Sequence, residues 1–422
     1  MIARLPERRF ACRLAAIVVV ALALRIAIRL VMGTQNYWID GYGHHASIAQ
    51  SICAGTGYAF PGEPPTAFRV PLYTFLVAAT TCGAGSPWPL ILTQALASAG
   101  TVLFAGLIAR RLAGNAAGLL AAAIYALWPY GAWHDLSLQE SGLHAFLAAL
   151  VTWQLIDLRD KGGAVRALGS GLVLGLLLLT RATMLPFVLC ALVIVALPHS
   201  GPNRGPNPGR ARLVSAVIAA AAMLAVLSPW LAYSHKVTGA YGLGTEGGAA
   251  LFVGNHPLTF SAFPVGTIDE SRVNILASLN AEENAELAKL QGDEVATSDW
   301  YRAHAIRNIA ADPVAFVFGG FRKLWAAFGP LPTPRHGLRG SIAYAAGWVL
   351  FFALALAGTW QRRHVWRDDL LLHAHMLTFC AITALFWAQT SHRSYLDPYL
   401  AVFAAVALLA LMPLRLEKTL DS

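Results

Sequence analysis

Charge is scarce in this chain: Asp, Glu, Lys and Arg make up 13% of its 422 residues, about half the share usual in soluble domains. That scarcity excludes a water-soluble domain of appreciable size, because apolar segments long enough to cross a bilayer, about 20 residues each, recur almost to the end. No CxxC pair occurs among Cys12, Cys53, Cys82, Cys190 and Cys380. At least three of these five cysteines fall in apolar segments, so neither a disulfide framework nor a zinc site is expected. Repeats of 20 to 50 residues and similarity between the two halves are also missing, which weighs against transporter folds built from inverted repeats.

What is present is apolar sequence, 57% of the chain, and it reads as an all-α polytopic membrane protein with about ten spans. The net charge of +9 invites a nucleic-acid partner. The basic residues fall mostly in short loops between apolar segments, however, so topology accounts for them and no nucleic acid is expected.

The first apolar segment follows Arg4, Arg8, Arg9 and Arg13. A cleaved signal has a shorter apolar region and a small-residue cleavage site, whereas Arg25 and Arg29 interrupt this one, so it reads as a retained span. With the N-terminus inside, span one (Leu14 to Met32) delivers Asp40 to the outer face. Outer loop one covers 34–87, with amphipathic helices expected over Ile39 to Ala54 and Leu72 to Thr81 along the membrane surface. Spans two to seven run over Trp88–Ala109, Ala116–Trp133, Leu143–Leu158, Leu168–Leu179, Leu185–Leu197 and Leu213–Leu231.

Outer loop two, 232–337, contains two solvated helices, NAEENAELAKL and Asp299 to Ala310. After Asp312-Pro313 comes a more apolar helix, VAFVFGGFRKLWAAF. Spans eight to ten, Ile342–Thr359, Leu370–Ala388 and Leu400–Leu414, complete one membrane-embedded domain over 1–422, with no separate soluble domain. Arg110-Arg111, Arg159, Lys161, Arg166, Arg204, Arg210, Arg212, Arg362, Arg363, Arg367, Arg415 and Lys418 all fall inside. The short outer loops at 134–141 and 389–397 carry no Lys/Arg and one respectively, as the positive-inside rule requires. Both termini are thus expected in the cytoplasm.

Under this topology the outer face collects Asp40, His44, His45, Glu63, Arg69, Asp135, Glu140, Arg181, Arg393 and Tyr395. A carboxylate among arginines suits a substrate with a hydroxyl to activate and a phosphate to hold: Asp accepts the proton, and Arg grips phosphate through two parallel hydrogen bonds. For Glu63 or Arg69 alone, a solvated or snorkelling side chain is the ordinary reading. Glu140 opens span four, where a carboxylate must be paired or face a cavity. Adjacent histidines point about 100° apart on a helix and no partner stands at HxxxH or HxH spacing to them. His44 and His45 therefore read as hydrogen-bonding residues, and a divalent metal is not indicated. His373 and His375 are expected to hydrogen-bond within the bundle.

The run from Asp40 through IAQSICAGTGYAF, followed by FRVPLYTFLVA, resembles the first outer loop of the GT-C glycosyltransferases, the group that contains protein O-mannosyltransferases and the lipid A aminoarabinose transferase. SLQESGLHAFL, LLLLTRATMLPF, the region SPWLAYSHKVTGAYGLGTEGGAALFVGNHP, DPVAFVFGGFRKLWAAF and SHRSYLDPYLAVFAA are similar to later segments of that group in the same order. The resemblance implies an inverting transferase that moves a sugar from a polyprenyl-phosphate donor to an acceptor hydroxyl on the outer face of a bacterial inner membrane. The acceptor would be a lipid, glycan or protein. Asp40 is then the general base. Arg69, Arg181 and Arg393 are the candidates for the phosphate, and Glu140, His44, His45 and Tyr395 for further substrate contacts. Where the group often has Asp-Glu, this chain has Asp40-Gly41, so a second carboxylate is missing. The alternative is a transporter or flippase of a lipid-linked or anionic substrate, for which Arg25 and Arg29 are the intramembrane charges to watch.

Overall fold

The computed structural model describes residues 7–39, 41–198, 208–332, 337–387 and 389–412. Asp40, and among the loop cations Arg4, Arg204, Arg415 and Lys418, lie outside the described residues, as does Ala388 at the end of the expected ninth span.

Helix follows helix. α1 (Glu7–Met32) leads to the surface helices α2 (Gly43–Cys53) and α3 (Leu72–Thr81), then come α4 (Trp88–Ala113), α5 (Asn115–Leu127), α6 (Pro129–His134), α7 (Ser141–Lys161), α8 (Ala164–Thr180), α9 (Leu185–Ala196) and α10 (Pro208–Thr238). The outer layer resumes with α11 (Gly247–Gly254), α12 (Ile268–Ala277), α13 (Ala281–Lys289), α14 (Glu294–Ala311) and α15 (Pro313–Phe328). The chain re-enters the bundle as α16 (Leu338–Gln361), α17 (Leu370–Leu385), the single turn α18 (Thr390–Arg393) and α19 (Asp397–Leu411). α13 starts on a capping box between Asn280 and Glu283, and Asp312 caps α15, whose Pro313 fits the first turn because it needs no N–H partner there.

Six of these helical stretches are long and apolar enough to cross a membrane: Glu7–Met32, Trp88–Ala113, Ser141–Lys161, Gly209–Thr238, Arg339–Gln361 and Thr390–Leu411. The other four expected spans are shorter helices, with α5 at 13 residues, α8 at 17, α9 at 12 and α17 at 16. α5 stops at Trp128 because Pro129 supplies no N–H, and α6 continues after the break. α8 ends at Arg181, α9 starts at Leu185 and α17 ends beside Phe386, and these ends line one cavity.

Close backbone approach holds the bundle together. α8 lies against α10 at Gly171, where a Cβ would collide with the Ala219 carbonyl, the small-residue packing that substitutes for a hydrophobic drive between helices in lipid. The outer layer is tied on by Glu294, whose carboxylate accepts hydrogen bonds from the Thr66 hydroxyl, the Ala67 N–H (3.2 Å) and the Thr245 hydroxyl (2.8 Å), joining the two outer loops.

One expectation fails. Cys53 and Cys82 form a disulfide, with Cα atoms 5.4 Å apart. Counting cysteines and looking for CxxC could not find it, because the pair meets only when the C-terminal ends of α2 and α3 pack side by side. Cys12, Cys190 and Cys380 are free thiols.

Candidate active site

Tyr42, His45 and Phe68 of the first outer loop line a cavity of about 840 Å³. Gly41 fixes the entry. Its φ of 135° is open only to glycine, and it pairs with Leu138 so closely that a Cβ would strike the Leu138 carbonyl. Tyr42 donates its N–H to that carbonyl at 2.8 Å. A Glu at position 41 is therefore sterically barred, which explains the departure seen in the sequence.

α2 then splits the two histidines. His45 turns inward, its Nδ1 2.8 Å from Thr74 Oγ1 and its Nε2 3.5 Å from Glu140. His44 faces Arg69, whose Nη1 lies 3.1 Å from His44 Nε2 and donates to it. Burial, the neighbouring His45 and the Arg69 charge push the His44 pKa down to about 2, so the ring is neutral and accepts. Burial likewise lowers His45, against the opposing pull of its Glu140 contact.

Arg69 is the hub. It bonds the Glu246 carboxylate, stacks over the Tyr42 ring at 5.0 Å and receives a hydrogen bond from the Tyr58 hydroxyl on its own carbonyl at 3.0 Å. Burial would lower its pKa, but Glu246 outweighs that and raises it. Glu140 lies between His45 and Arg181, each 3.5 Å away. Burial would raise its pKa, yet these two neighbours hold it well below the usual carboxylate range. Asp269, on α12, accepts from the Gln389 amide at 2.7 Å, and burial raises its pKa against the Arg69 charge.

Of the residues singled out from sequence, His45, Arg69, Glu140, Arg181 and Tyr395 line the cavity, and His44 stands against Arg69. Arg393 does not line it. Its guanidinium is fully buried, stacked 3.3 Å over Trp348, hydrogen-bonded to the Ala327 carbonyl (3.2 Å) and the Tyr344 hydroxyl (3.1 Å) and ion-paired with Asp397 at 3.4 Å. That is a packing role, and Arg393 drops out as a phosphate contact. Asp135 is likewise buried away from the cavity, taking hydrogen bonds from Ser98 and Tyr125, and Glu63 is exposed.

The structure adds Tyr42, His144, Glu246, Asp269 and His392 to the cavity. Tyr42 lies two residues after Asp40, and an uncharged side chain carries a weaker sequence signal than its charged neighbours. Glu246, Asp269 and His392 carry no local signal, since each is one polar residue among many in outer segments. Among the described residues no group of three or more His, Cys, Asp or Glu gathers as for a metal ion.

Opposite the polar wall the cavity is greasy, with Leu185 and Leu189 of α9, Leu224 and Leu227 of α10 and Phe379 and Ile382 of α17 facing it. Residues 66–233 match the family model described as dolichyl-phosphate-mannose-protein mannosyltransferase. No curated protein matches. Among solved structures, the fold is similar to the oligosaccharyltransferase of Archaeoglobus fulgidus. With zinc and sulfate the match has 13% identity and a TM-score of 0.53, covering 94% of this chain and 49% of that one. With a tethered acceptor peptide containing the NVT sequon, the values are 15%, 0.54, 94% and 49%. The same archaeal enzyme, AglB, in complex with an inhibitory peptide and a dolichol-phosphate gives 14%, 0.53, 94% and 50%.

The chain shares its all-helical membrane fold with that archaeal oligosaccharyltransferase. It spans about half the length of those oligosaccharyltransferase chains. The structural match covers 94% of this chain, and the segment matched by the family model begins at Thr66, three residues before Arg69.

Proposed function

We propose that the protein transfers a sugar from a polyprenyl-phosphate donor to an acceptor hydroxyl, with inversion, on the outer face of a bacterial inner membrane. The observation that carries this reading is the two-sided cavity: an apolar wall from α9, α10 and α17 meets a polar wall holding Arg69, Arg181 and three carboxylates. A polyprenyl chain fits the first wall and an anionic head the second. A soluble nucleotide-sugar would leave the greasy wall unused.

In the proposed step the acceptor oxygen attacks the anomeric carbon from the face opposite the phosphate, and its proton passes to the Asp40 carboxylate. The bond between the anomeric carbon and the phosphate oxygen breaks, and its electron pair leaves with the lipid phosphate. That leaving group needs no acid. Arg181 and Arg69 stabilise its charge, each already partnered by a carboxylate, Glu140 and Glu246, that keeps it oriented. Asp40 stands two residues before Tyr42, which lines the cavity. The acceptor, whether lipid, glycan or protein, enters from the outer loops, and the whole of 1–422 acts as one membrane-embedded domain. Both termini face the cytoplasm, a reading that the Cys53–Cys82 disulfide supports because such bonds persist on the oxidising side of the membrane.

The transporter reading loses its main support. Arg25 bonds Ser98 (2.5 Å) and the Ala21 and Ala126 carbonyls, and Arg29 stacks over Tyr37 at 4.6 Å. Neither lines the cavity. The deciding experiment is reconstitution of the purified protein in liposomes with polyprenyl-phosphate sugars and an extract of candidate acceptors. Release of free polyprenyl phosphate together with a glycosylated acceptor supports the proposal, whereas movement of intact donor across the bilayer without sugar transfer refutes it.

A further inference from the structure

His144 sits on α7 one turn after Glu140 and lines the cavity at 1% exposure. Among the described residues, neither of its ring nitrogens has a hydrogen-bond partner. The ring is held by stacking on Tyr395, with centroids 4.4 Å apart and planes at 29°. An imidazole carries an N–H in every protonation state, so a buried ring without partners forfeits a hydrogen bond that a Phe in the same stack would not need. A buried polar group left open in this way calls for a partner, and because His144 lines the cavity a bound ligand can supply it. The charged groups that act on it are Arg181 and Glu140, so it stands where the polar wall holds its arginine.

We propose that His144 is a donor-binding residue whose ring N–H hydrogen-bonds a phosphate oxygen of the lipid-linked donor while Arg181 supplies the charge. This rests on the lipid-phosphate reading of the cavity. The division of labour follows from the chemistry. Arg181 already bridges to Glu140, so its pull on an anion is shared, and a second, uncharged donor adds direction without adding charge to balance. The Tyr395 stack fixes the plane of the ring and with it the line along which the N–H points.

The test uses the full-length protein in detergent micelles, with farnesyl phosphate as the probe and farnesol and inorganic phosphate as comparisons. Binding is read by thermal shift and intrinsic fluorescence. His144→Phe keeps the stack and removes the N–H, while His144→Gln keeps a donor. The expected result is that His144→Phe weakens farnesyl phosphate at least ten-fold, His144→Gln recovers most of that loss and farnesol binds all three proteins alike. In transfer assays the same variant raises the donor KM more than it lowers kcat. Equal farnesyl phosphate affinity in wild type and His144→Phe overturns the inference while leaving the lipid-phosphate reading standing. Failure of the wild type to prefer farnesyl phosphate over farnesol overturns both. Inorganic phosphate binding as tightly as farnesyl phosphate overturns the lipid-linked assignment. If His144→Phe does not fold, His144→Leu against His144→Gln makes the same comparison, with Gln expected to bind and Leu to fail.

Discussion

The hydroxyl of Tyr42 lies 2.7 Å from Nε2 of His392, although 350 positions separate them in sequence. The bond joins the polar stretch after the first span to the turn before the last one, and both residues line the cavity. Tyr42→Phe leaves the ring stacked on Arg69 but removes the bond. One lost hydrogen bond of this kind is worth about 1 kcal/mol, so kcat/KM for sugar transfer is expected to fall roughly five- to ten-fold with little change in thermal stability. Unchanged turnover would mean that the link is only structural.

Arg181 and Arg393 were alike in sequence and separate in the structure, and their substitutions should separate too. Arg181→Ala removes a cation from the cavity wall and is expected to weaken donor binding about 10- to 100-fold, the scale of a charge-assisted hydrogen bond. Arg393→Ala strips the cation from a buried Asp397, leaving the carboxylate with the Trp128 indole N–H. It should lower stability by about 3 to 5 kcal/mol, so that loss of activity tracks loss of folded protein. Thermal unfolding and donor KM, measured on both variants, decide the matter.

Acid should destabilise the outer layer through its histidines. The His44 pKa is pushed down to about 2 and that of His45 is also lowered, so below pH 6.5 the unfolded chain binds protons that the folded one refuses. Stability therefore falls as pH drops from 6.5 towards 4. Asp269, whose pKa is raised by burial, pulls the other way at the acid end. Comparison with His44→Gln isolates the His44 share: the variant should lose less of its unfolding temperature between pH 7 and pH 5 than the wild type does. Equal slopes would contradict the neutral His44 seen against Arg69.

The Cys53–Cys82 bond closes a loop with a sequence separation of 29, for which chain-entropy arguments give about 3.6 kcal/mol. Cys82→Ser should lower the unfolding temperature and loosen α2, reducing transfer activity. In sealed spheroplasts a membrane-impermeant reductant should open the bond and expose two thiols to an impermeant maleimide. Labelling only after lysis would place the loop inside and overturn the topology.

Much of this was legible in the chain. Apolar length and loop charge point to the bundle, and Arg69, Arg181, Glu140 and His45 stand out because polar residues in outer loops are few. Three things were out of reach. Arg393 looks like Arg181 in sequence, and only the Trp348 stack and Asp397 reveal it as a packing residue. Glu246, Asp269, His144 and His392 reach the cavity by tertiary folding alone. The early ends of α5 and α17 were hidden too, since the apolar runs continue past Pro129 and past Leu385.

The central claim is that Asp40 is the base that activates the acceptor. Its most direct test is Asp40→Asn in the liposome transfer assay, with folding verified by thermal unfolding and donor binding verified with farnesyl phosphate. The account predicts unchanged folding and donor affinity with kcat reduced by at least 100-fold, within the 10²- to 10⁴-fold range typical of general-base catalysis. Transfer at the wild-type rate by a folded Asp40→Asn protein would contradict it.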